Sequence, residues 1–158
     1  MTSSLPLLLL DVDGVLNPFG GDGCPAGFTE HDLFPGEEPV RLNPDHGAWI
    51  AELCRVFEVT WATGWNEEAN RILAPLLGLS ALPVLAMPPA PFHPGAKVPL
   101  IAAFSRRRPV AWIDDVHTRQ AHAWSSSRRA PTLLIAVAPA TGLTRPSVDQ
   151  ALTWAKSL

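Results

Sequence analysis

The fold is decided by residues 5–17, which read LPLLLLDVDGVLN. The run Leu5–Leu10 is apolar without interruption, as expected for a central strand that is buried on both faces of a parallel sheet. Asp11 and Asp13 follow directly, at the carboxyl end where open α/β sheets bind ligands, and Gly14 allows the backbone to turn away sharply. Two carboxylates this close repel each other unless a cation or a proton intervenes. The stretch therefore predicts a strand that ends at an acidic site; the alternative is a turn that carries two aspartates by chance.

The rest of the chain alternates short apolar runs with helical patterns, which is typical of a parallel α/β sheet. The runs predict further strands over residues 59–63, 83–87, 110–114 and 133–138. The periodic segments predict helices over residues 44–57, from a cap at Asn66 to about 77, over 98–107, over 118–127 and from Pro146 onward. Residues 17–43 are rich in Gly, Pro, Asp and Glu and predict a long loop with a small hairpin. We expect one three-layer α/β/α, Rossmann-like domain over residues 1–158, with a five-stranded, mainly parallel sheet.

The composition limits the class of protein. A chain of 158 residues that is 47% hydrophobic can bury a core of one domain. Its formal net charge of −3 argues against a protein held to nucleic acid or membrane by bulk charge. Cys24 and Cys54 are too few for a disulfide scaffold and lack zinc-ligand spacing. The N-terminal apolar run lacks the basic start of a signal peptide, and no run approaches the ~20 apolar residues of a membrane span, so we expect a cytoplasmic protein without a membrane partner.

A second acidic pair follows the predicted strand over residues 110–114. Asp114 and Asp115 repeat the arrangement of an apolar strand that ends in carboxylates. One of them could simply cap the next helix, but two acidic strand ends in one small sheet weaken that interpretation. Four carboxylates that converge on one edge indicate a hard divalent cation with oxygen ligands, most simply Mg²⁺.

A hydroxyl and a lysine complete the predicted site. Thr63 ends the second strand, where its hydroxyl and the free amides of the turn at Gly64 could hold phosphate oxygens. Lys97 begins a helix, where the macrodipole disfavours a cation, so nearby anions are expected to compensate it; a solvated surface lysine is the alternative. Because this helix leads into the strand that ends at Asp114, its start lies on the same edge of the sheet.

The sequence resembles the haloacid dehalogenase-like (HAD) phosphohydrolase superfamily in four features and in their order along the chain. These are DVDGVLN at residues 11–17, Thr63, Lys97 and the pair Asp114–Asp115. The sequence is also similar to the small capless HAD domains associated with RNA-repair proteins. This similarity rests on DVDGVLNP at the start, WATGW at 61–65 and TGLT at 141–144. Response-regulator receiver domains use similar residues, but they begin with the adjacent Asp pair and place the lysine late. The order here argues against that interpretation.

The resemblance implies a mechanism for the aspartates. Asp11 is implied to be the nucleophile that forms an aspartyl-phosphate, and Asp13 is implied to protonate the leaving oxygen and then to activate water. Mg²⁺ is implied to be held by the Asp11 carboxylate, the Asp13 carbonyl and one of the late pair. We favour Asp115 as the direct ligand and Asp114 as the neighbour of Lys97.

The resemblance also bears on the substrate. HAD caps are inserted after the first or the second motif, and both segments here are too short or too irregular for a large cap. An open site fits macromolecular phosphoesters such as nucleic-acid ends. The alternatives are a small-metabolite phosphatase with residues 17–43 as a flap, and a non-catalytic HAD-like binding module.

The arginines divide into two groups by topology. Helices of a parallel sheet begin at the carboxyl edge of the strands and end at the opposite edge, so Arg106–Arg108 and Arg128–Arg129 are expected to face away from the aspartates and to complement helix C-termini. Arg145 and, second, Arg119 lie on the correct edge and are the predicted contacts to substrate phosphate. His93, next to Phe92 in a proline-rich loop, is expected to be a surface residue.

Overall fold

A parallel sheet of four strands forms the centre of the computed structural model, which describes residues 5–158; residues 1–4 of the predicted domain lie outside the described part. The strands in chain order are β1 (Leu7–Leu10), β2 (Thr29–His31), β3 (Val40–Leu42), β4 (Glu58–Trp61), β5 (Val110–Asp114) and β6 (Thr132–Ala136). The central sheet has the order β4-β1-β5-β6, and all its pairings are parallel. β2 and β3 form the separate antiparallel hairpin that was predicted within residues 17–43.

Helices cover both faces of this sheet. They are α1 (Asp45–Leu53), α2 (Ala74–Leu76) after a π-helical turn (Ala69–Leu73), α3 (Lys97–Ser105) after a 3₁₀ turn (Pro94–Ala96), α4 (Arg119–Ser127) and α5 (Arg145–Lys156). Leu8 and Leu10 of β1 belong to an apolar cluster that includes residues of α1 and α5. Leu7 and Leu9 belong to a second cluster with residues of α3 and α4. The alternation of β1 side chains between two covered faces explains why this strand is apolar throughout and confirms the three-layer α/β/α architecture.

The predicted strand over residues 83–87 is the main difference in the sheet, which has four strands and not five. This segment makes one isolated parallel bridge, between Val84 and Trp61. The Trp61 amide donates to the Pro83 carbonyl, and the Leu85 amide donates to the Trp61 carbonyl, both at 2.9 Å. Pro83 has no N–H, and Pro88 and Pro89 follow the segment, so a longer ladder cannot form there.

Two asparagine side chains hold the segment instead. Asn70 Oδ1 accepts from the Leu82 amide at 2.8 Å, and Asn70 Nδ2 donates to the Leu82 carbonyl at 2.7 Å. Asn66 Oδ1 accepts from the Met87 amide at 2.8 Å. The predicted role of Asn66 as a helix cap is wrong, because Asn66 has a positive φ of 51° and the helical segment begins only at Ala69.

Candidate active site

The carboxyl edge of the sheet brings four predicted site residues together. Leu10 lies opposite both Trp61 and Ile113, so the residues that follow β1, β4 and β5 reach the same level. Asp11, Thr63, Lys97 and Asp114 are all buried, with exposed fractions of 7%, 1%, 6% and 2%. They line one cavity of about 700 Å³ at this edge. Three charged side chains buried side by side need strong mutual compensation.

Lys97 supplies that compensation. Its Nζ donates to Asp114 Oδ2 at 2.7 Å and to the Ala62 carbonyl at 2.8 Å, and it lies 3.3 Å from Asp11 Oδ1. Burial alone would lower the pKa of Lys97, but the two carboxylates outweigh it and raise the pKa above the ordinary value. The lysine at the start of α3 is therefore placed among anions.

Asp11, Asp114 and Asp115 form a carboxylate cluster, with one oxygen of each within 4.8 Å of the others. Burial and the neighbouring Asp114 raise the pKa of Asp11 well above its ordinary range, and Lys97 offsets this only in part. Burial and Asp114 also raise the pKa of Asp115 to about 6. One ammonium does not neutralise three close carboxylates, so the donor set fits a divalent cation that prefers oxygen ligands.

The two late aspartates differ in how their oxygens are used. Asp114 Oδ2 accepts from Lys97 and from the Trp112 indole N–H at 3.2 Å, and Asp114 Oδ1 accepts from the Val116 amide at 3.1 Å. Burial acts to raise the pKa of Asp114, but Lys97 overcomes it and the pKa is lowered. Asp115 is half-buried and lies against Gly14, where a Cβ would collide with the Asp115 carboxylate. Gly14, at a φ of +81°, therefore has a second role in letting Asp115 approach the first motif.

Asp13 lies outside the carboxylate cluster but lines the same cavity. Its side chain is exposed. Asn17 Nδ2 donates to Asp13 Oδ1 at 3.0 Å, and Trp65 Nε1 donates to Asp13 Oδ2 at 3.1 Å. The carboxylate that was predicted to exchange protons with substrate and water therefore faces the cavity and not the other aspartates.

Thr63 and Gly64 form the turn after β4 and also line the cavity. Thr63 Oγ1 accepts from the Trp65 amide at 3.2 Å, which fixes the turn. A Cβ at Gly64 would lie 3.2 Å from Phe92 Cε1, so the absence of a side chain lets the Phe92 ring approach the turn.

The structure does not bring the two predicted substrate arginines to the cavity, because neither is among the residues that line it. Arg145 binds Glu52 of α1 through two hydrogen bonds of 2.7 and 3.0 Å and also binds Asp149. The hydrogen bonds with Glu52 raise the pKa of Arg145 further above its ordinary value. The contact of α5 with α1 places this side chain beside Glu52. Arg119 is exposed in the first turn of α4.

Several lining residues were missed by the sequence analysis. The cavity is also lined by Asn17, Phe34, Glu37, Glu38, Val40, Trp65 and Glu68. Phe34, Glu37 and Glu38 come from the loop of the β2–β3 hairpin, and no local pattern marks them. Trp65 lies in the WATGW segment, but its role there was not predicted. His93 is exposed, and its Nδ1 accepts from the Gly95 amide, as expected for a loop residue.

The three-layer fold with aspartates after β1 and β5, a hydroxyl after β4 and a lysine at the start of α3 is that of a HAD-like domain. A family model described as the HAD domain in Swiss Army Knife RNA repair proteins matches residues 7–148, and the chain belongs to this family. A search for curated relatives found no match. Within residues 5–158, no helix combines the length and apolar character needed to cross a membrane.

Proposed function

We propose that the protein is a Mg²⁺-dependent phosphomonoester hydrolase that works through an aspartyl-phosphate intermediate. The observation that carries this proposal is the position of Asp11, which is buried between Lys97 and two further carboxylates on the wall of the cavity. Membership of a HAD family supports a phosphohydrolase in general terms.

The reaction divides one displacement into two. The Asp11 carboxylate forms a bond to phosphorus while the bond from phosphorus to the leaving oxygen breaks, and Asp13 gives its proton to that oxygen. In the second step Asp13 takes a proton from a water molecule, which attacks phosphorus and releases phosphate and the free Asp11 carboxylate. The exposed position of Asp13 on the cavity wall fits both proton transfers.

The Mg²⁺ would be held by the carboxylates of Asp11 and Asp115 and by the carbonyl of Asp13. Asp114 would keep Lys97 beside Asp11, since both its oxygens already accept hydrogen bonds. When bound, the metal supplies positive charge that offsets the carboxylate cluster and the phosphate dianion. The Thr63 hydroxyl and the amides of the turn at Gly64 would hold the phosphate oxygens.

Two substrate classes have support from different observations. Nucleic-acid ends are the first candidate, because the family is that of HAD domains in RNA-repair proteins and no large cap covers the described site. A small phosphorylated metabolite is the second candidate, because Phe34, Glu37, Glu38 and Val40 of the hairpin segment line the cavity as a flap would.

Hydrolysis of an aryl phosphate tests the reaction itself. We expect turnover with Mg²⁺, none in excess chelator, and none in Asp11→Asn with the fold retained. Asp22→Asn, at an exposed loop aspartate, is the matched control and should keep wild-type activity. Full activity in Asp11→Asn or in chelator would contradict the mechanism. A folded wild-type protein that binds Mg²⁺ but hydrolyses no phosphoester would support the non-catalytic binding module instead.

Substrate class is tested by comparing an oligonucleotide with a 3′- or 5′-phosphate to the matching mononucleotide. A higher kcat/KM for the oligonucleotide supports nucleic-acid ends. Turnover restricted to mononucleotides and smaller esters supports the metabolite class and the flap.

A further inference from the structure

The carboxylate of Asp13 is held at both oxygens by side chains outside the carboxylate cluster. Asn17 Nδ2 donates to Oδ1 at 3.0 Å, and the Trp65 indole N–H donates to Oδ2 at 3.1 Å. An exposed aspartate would otherwise turn about both of its side-chain bonds. Two N–H donors on opposite oxygens restrict that freedom and define a direction for the carboxylate.

Each donor is itself fixed by the β2–β3 hairpin. Asn17 Oδ1 accepts from the Arg41 amide of β3 at 2.9 Å, which orients the Asn17 amide group so that Nδ2 points to Asp13. The Trp65 ring packs against Phe34 of the hairpin loop, with centroids 5.5 Å apart and planes at 60°. The hairpin therefore contacts both side chains that hold Asp13, one through its backbone and the other through an aromatic ring.

We propose that Trp65 is a positioning residue for Asp13, with Asn17 as its partner, and that the hairpin thereby sets the direction in which the acid delivers its proton. This inference rests on the proposed function. A general acid must lie within hydrogen-bond reach of the leaving oxygen, so orientation governs its efficiency.

The test compares two esters that differ in their need for the acid. A nitrophenyl phosphate has a good leaving group, whereas an alkyl phosphate needs a proton on its leaving oxygen. For both esters kcat/KM reports the steps up to loss of the leaving group, so it isolates the first proton transfer. Trp65→Phe keeps an aromatic ring beside Phe34 and removes the N–H. We expect its loss of kcat/KM to be about tenfold greater on the alkyl ester than on the nitrophenyl ester, a part of the effect of a whole general acid.

Trp154→Phe is the matched control, because Trp154 is also half-buried but stacks on Phe57, and neither residue lines the cavity. It should leave the ratio between the two esters unchanged. Asp13→Asn should show the largest change in this ratio and sets its upper limit. An equal loss on both esters in Trp65→Phe would overturn the proposal, since it would indicate only a general structural effect.

A spectroscopic test does not depend on turnover. The chain has six tryptophans, so the indole N–H region of a ¹H–¹⁵N spectrum should hold six signals. The signal that disappears in Trp65→Phe belongs to Trp65. Asp13→Ala should shift this signal and leave that of Trp154 in place, because it removes the acceptor of the Trp65 N–H. An unchanged Trp65 signal would overturn the proposal.

Two further variants keep the test decisive if Trp65→Phe does not fold. Asn17→Ala removes the other donor to Asp13, and Phe34→Leu removes the ring that supports Trp65; both should change the ratio between the esters in the same direction. A wild-type protein inactive on both esters would contradict the proposed function, whereas the Trp65 signal would still report whether Asp13 is held as described.

Discussion

The buried ammonium of Lys97 determines the charge balance of the candidate site. It donates to Asp114 and to the Ala62 carbonyl and forms an ion pair with Asp11, all at distances between 2.7 and 3.3 Å. A buried charge that loses its partner is far more costly than an exposed one, because water cannot replace the lost interaction. The charge of Lys97 therefore stabilises two carboxylates that the fold has removed from solvent.

Removal of this charge should weaken the fold. We expect Lys97→Met to lower the free energy of unfolding by about 3–5 kcal/mol when measured by urea unfolding in chelator, since Asp11 and Asp114 lose their buried counter-charge. Lys156, the other lysine of the chain, is exposed in the last turn of α5, and Lys156→Met should change the stability by less than about 0.5 kcal/mol. Equal effects of the two substitutions would contradict the assigned role of Lys97.

At this scale, the location of a residue can be predicted from the sequence where topology alone fixes it. Asp11 and Thr63 follow β1 and β4, Asp114 ends β5, and the ends of such neighbouring parallel strands must meet at one edge. The placement of Arg145 could not be predicted in this way, because the Glu52 carboxylate that binds it lies 93 residues away in sequence, on a different helix. Such a pairing depends on how α1 and α5 pack, which no local pattern records.

At the scale of elements, asparagine side chains replace a strand ladder. Asn70 Oδ1 accepts from the Leu82 amide and from the Trp61 indole N–H at 2.8 Å, while its Nδ2 donates to the Leu82 carbonyl. The apolar run over residues 83–87 predicts a strand of the parallel sheet, and its one bridge, to Trp61 of β4, is parallel. The prediction failed in extent, because the side-chain amides of Asn66 and Asn70 bind backbone groups at the two ends of the run, at Met87 and Leu82.

Loss of this amide should loosen the segment. Asn70→Ala removes these three hydrogen bonds and a longer, exposed one to Glu67 at 3.4 Å. At a typical net value of about 0.5–1.5 kcal/mol for each of the three shorter bonds, we expect a loss of about 2–4 kcal/mol in the free energy of unfolding. The Leu85 amide, which donates to the Trp61 carbonyl, should exchange with solvent faster in hydrogen-exchange measurements. Gln150→Ala, at an exposed position of α5, is the control. Unchanged protection of Leu85 would show that the segment does not depend on Asn70.

The helix ends follow the topology that the sequence predicts. Arg108 donates to Glu58, the first residue of β4, and to the Leu5 carbonyl just before β1. Arg128 donates to the carbonyls of Arg106 and Arg108, which follow the end of α3. These arginines therefore lie at the amino edge of the sheet, at the opposite end of the strands from the aspartates.

At the scale of the whole molecule, a late segment supports the first motif. The Leu143 amide donates to the Val15 carbonyl at 2.7 Å, and a Cβ at Gly142 would lie 2.9 Å from the same oxygen. His46 of α1, fully buried, contacts the Leu143 carbonyl through Nε2 at 2.9 Å. The TGLT segment thus packs against the turn that carries Asp13 and Gly14. The sequence indicates this segment only by resemblance, because its contact with Val15 spans 128 residues.

The charge of the cavity bears on any polyanionic substrate. Its lining includes seven carboxylates, those of Asp11, Asp13, Glu37, Glu38, Glu68, Asp114 and Asp115, and Lys97 is its one basic residue among those described. Bound Mg²⁺ offsets the aspartates, but Glu37 and Glu38 lie exposed in the hairpin loop. The phosphates of an oligonucleotide beyond the reacting one would therefore meet a negative field, because the one basic side chain of the lining, Lys97, is buried and paired with Asp11 and Asp114.

This field predicts an unusual salt dependence. Proteins that bind nucleic acid through basic surfaces lose affinity as salt rises. Here we expect the KM for a phosphorylated oligonucleotide to fall as KCl is raised from about 50 mM to about 200 mM at saturating Mg²⁺, because screening weakens repulsion from exposed charges. A small phosphoester of low charge should change less. The double variant Glu37→Gln, Glu38→Gln should lower the KM for the oligonucleotide at low salt and should make this KM less dependent on salt. The control is the double variant Glu30→Gln, Asp32→Asn in the same hairpin. A KM that rises with salt would show that basic residues outside the cavity dominate the approach of the substrate.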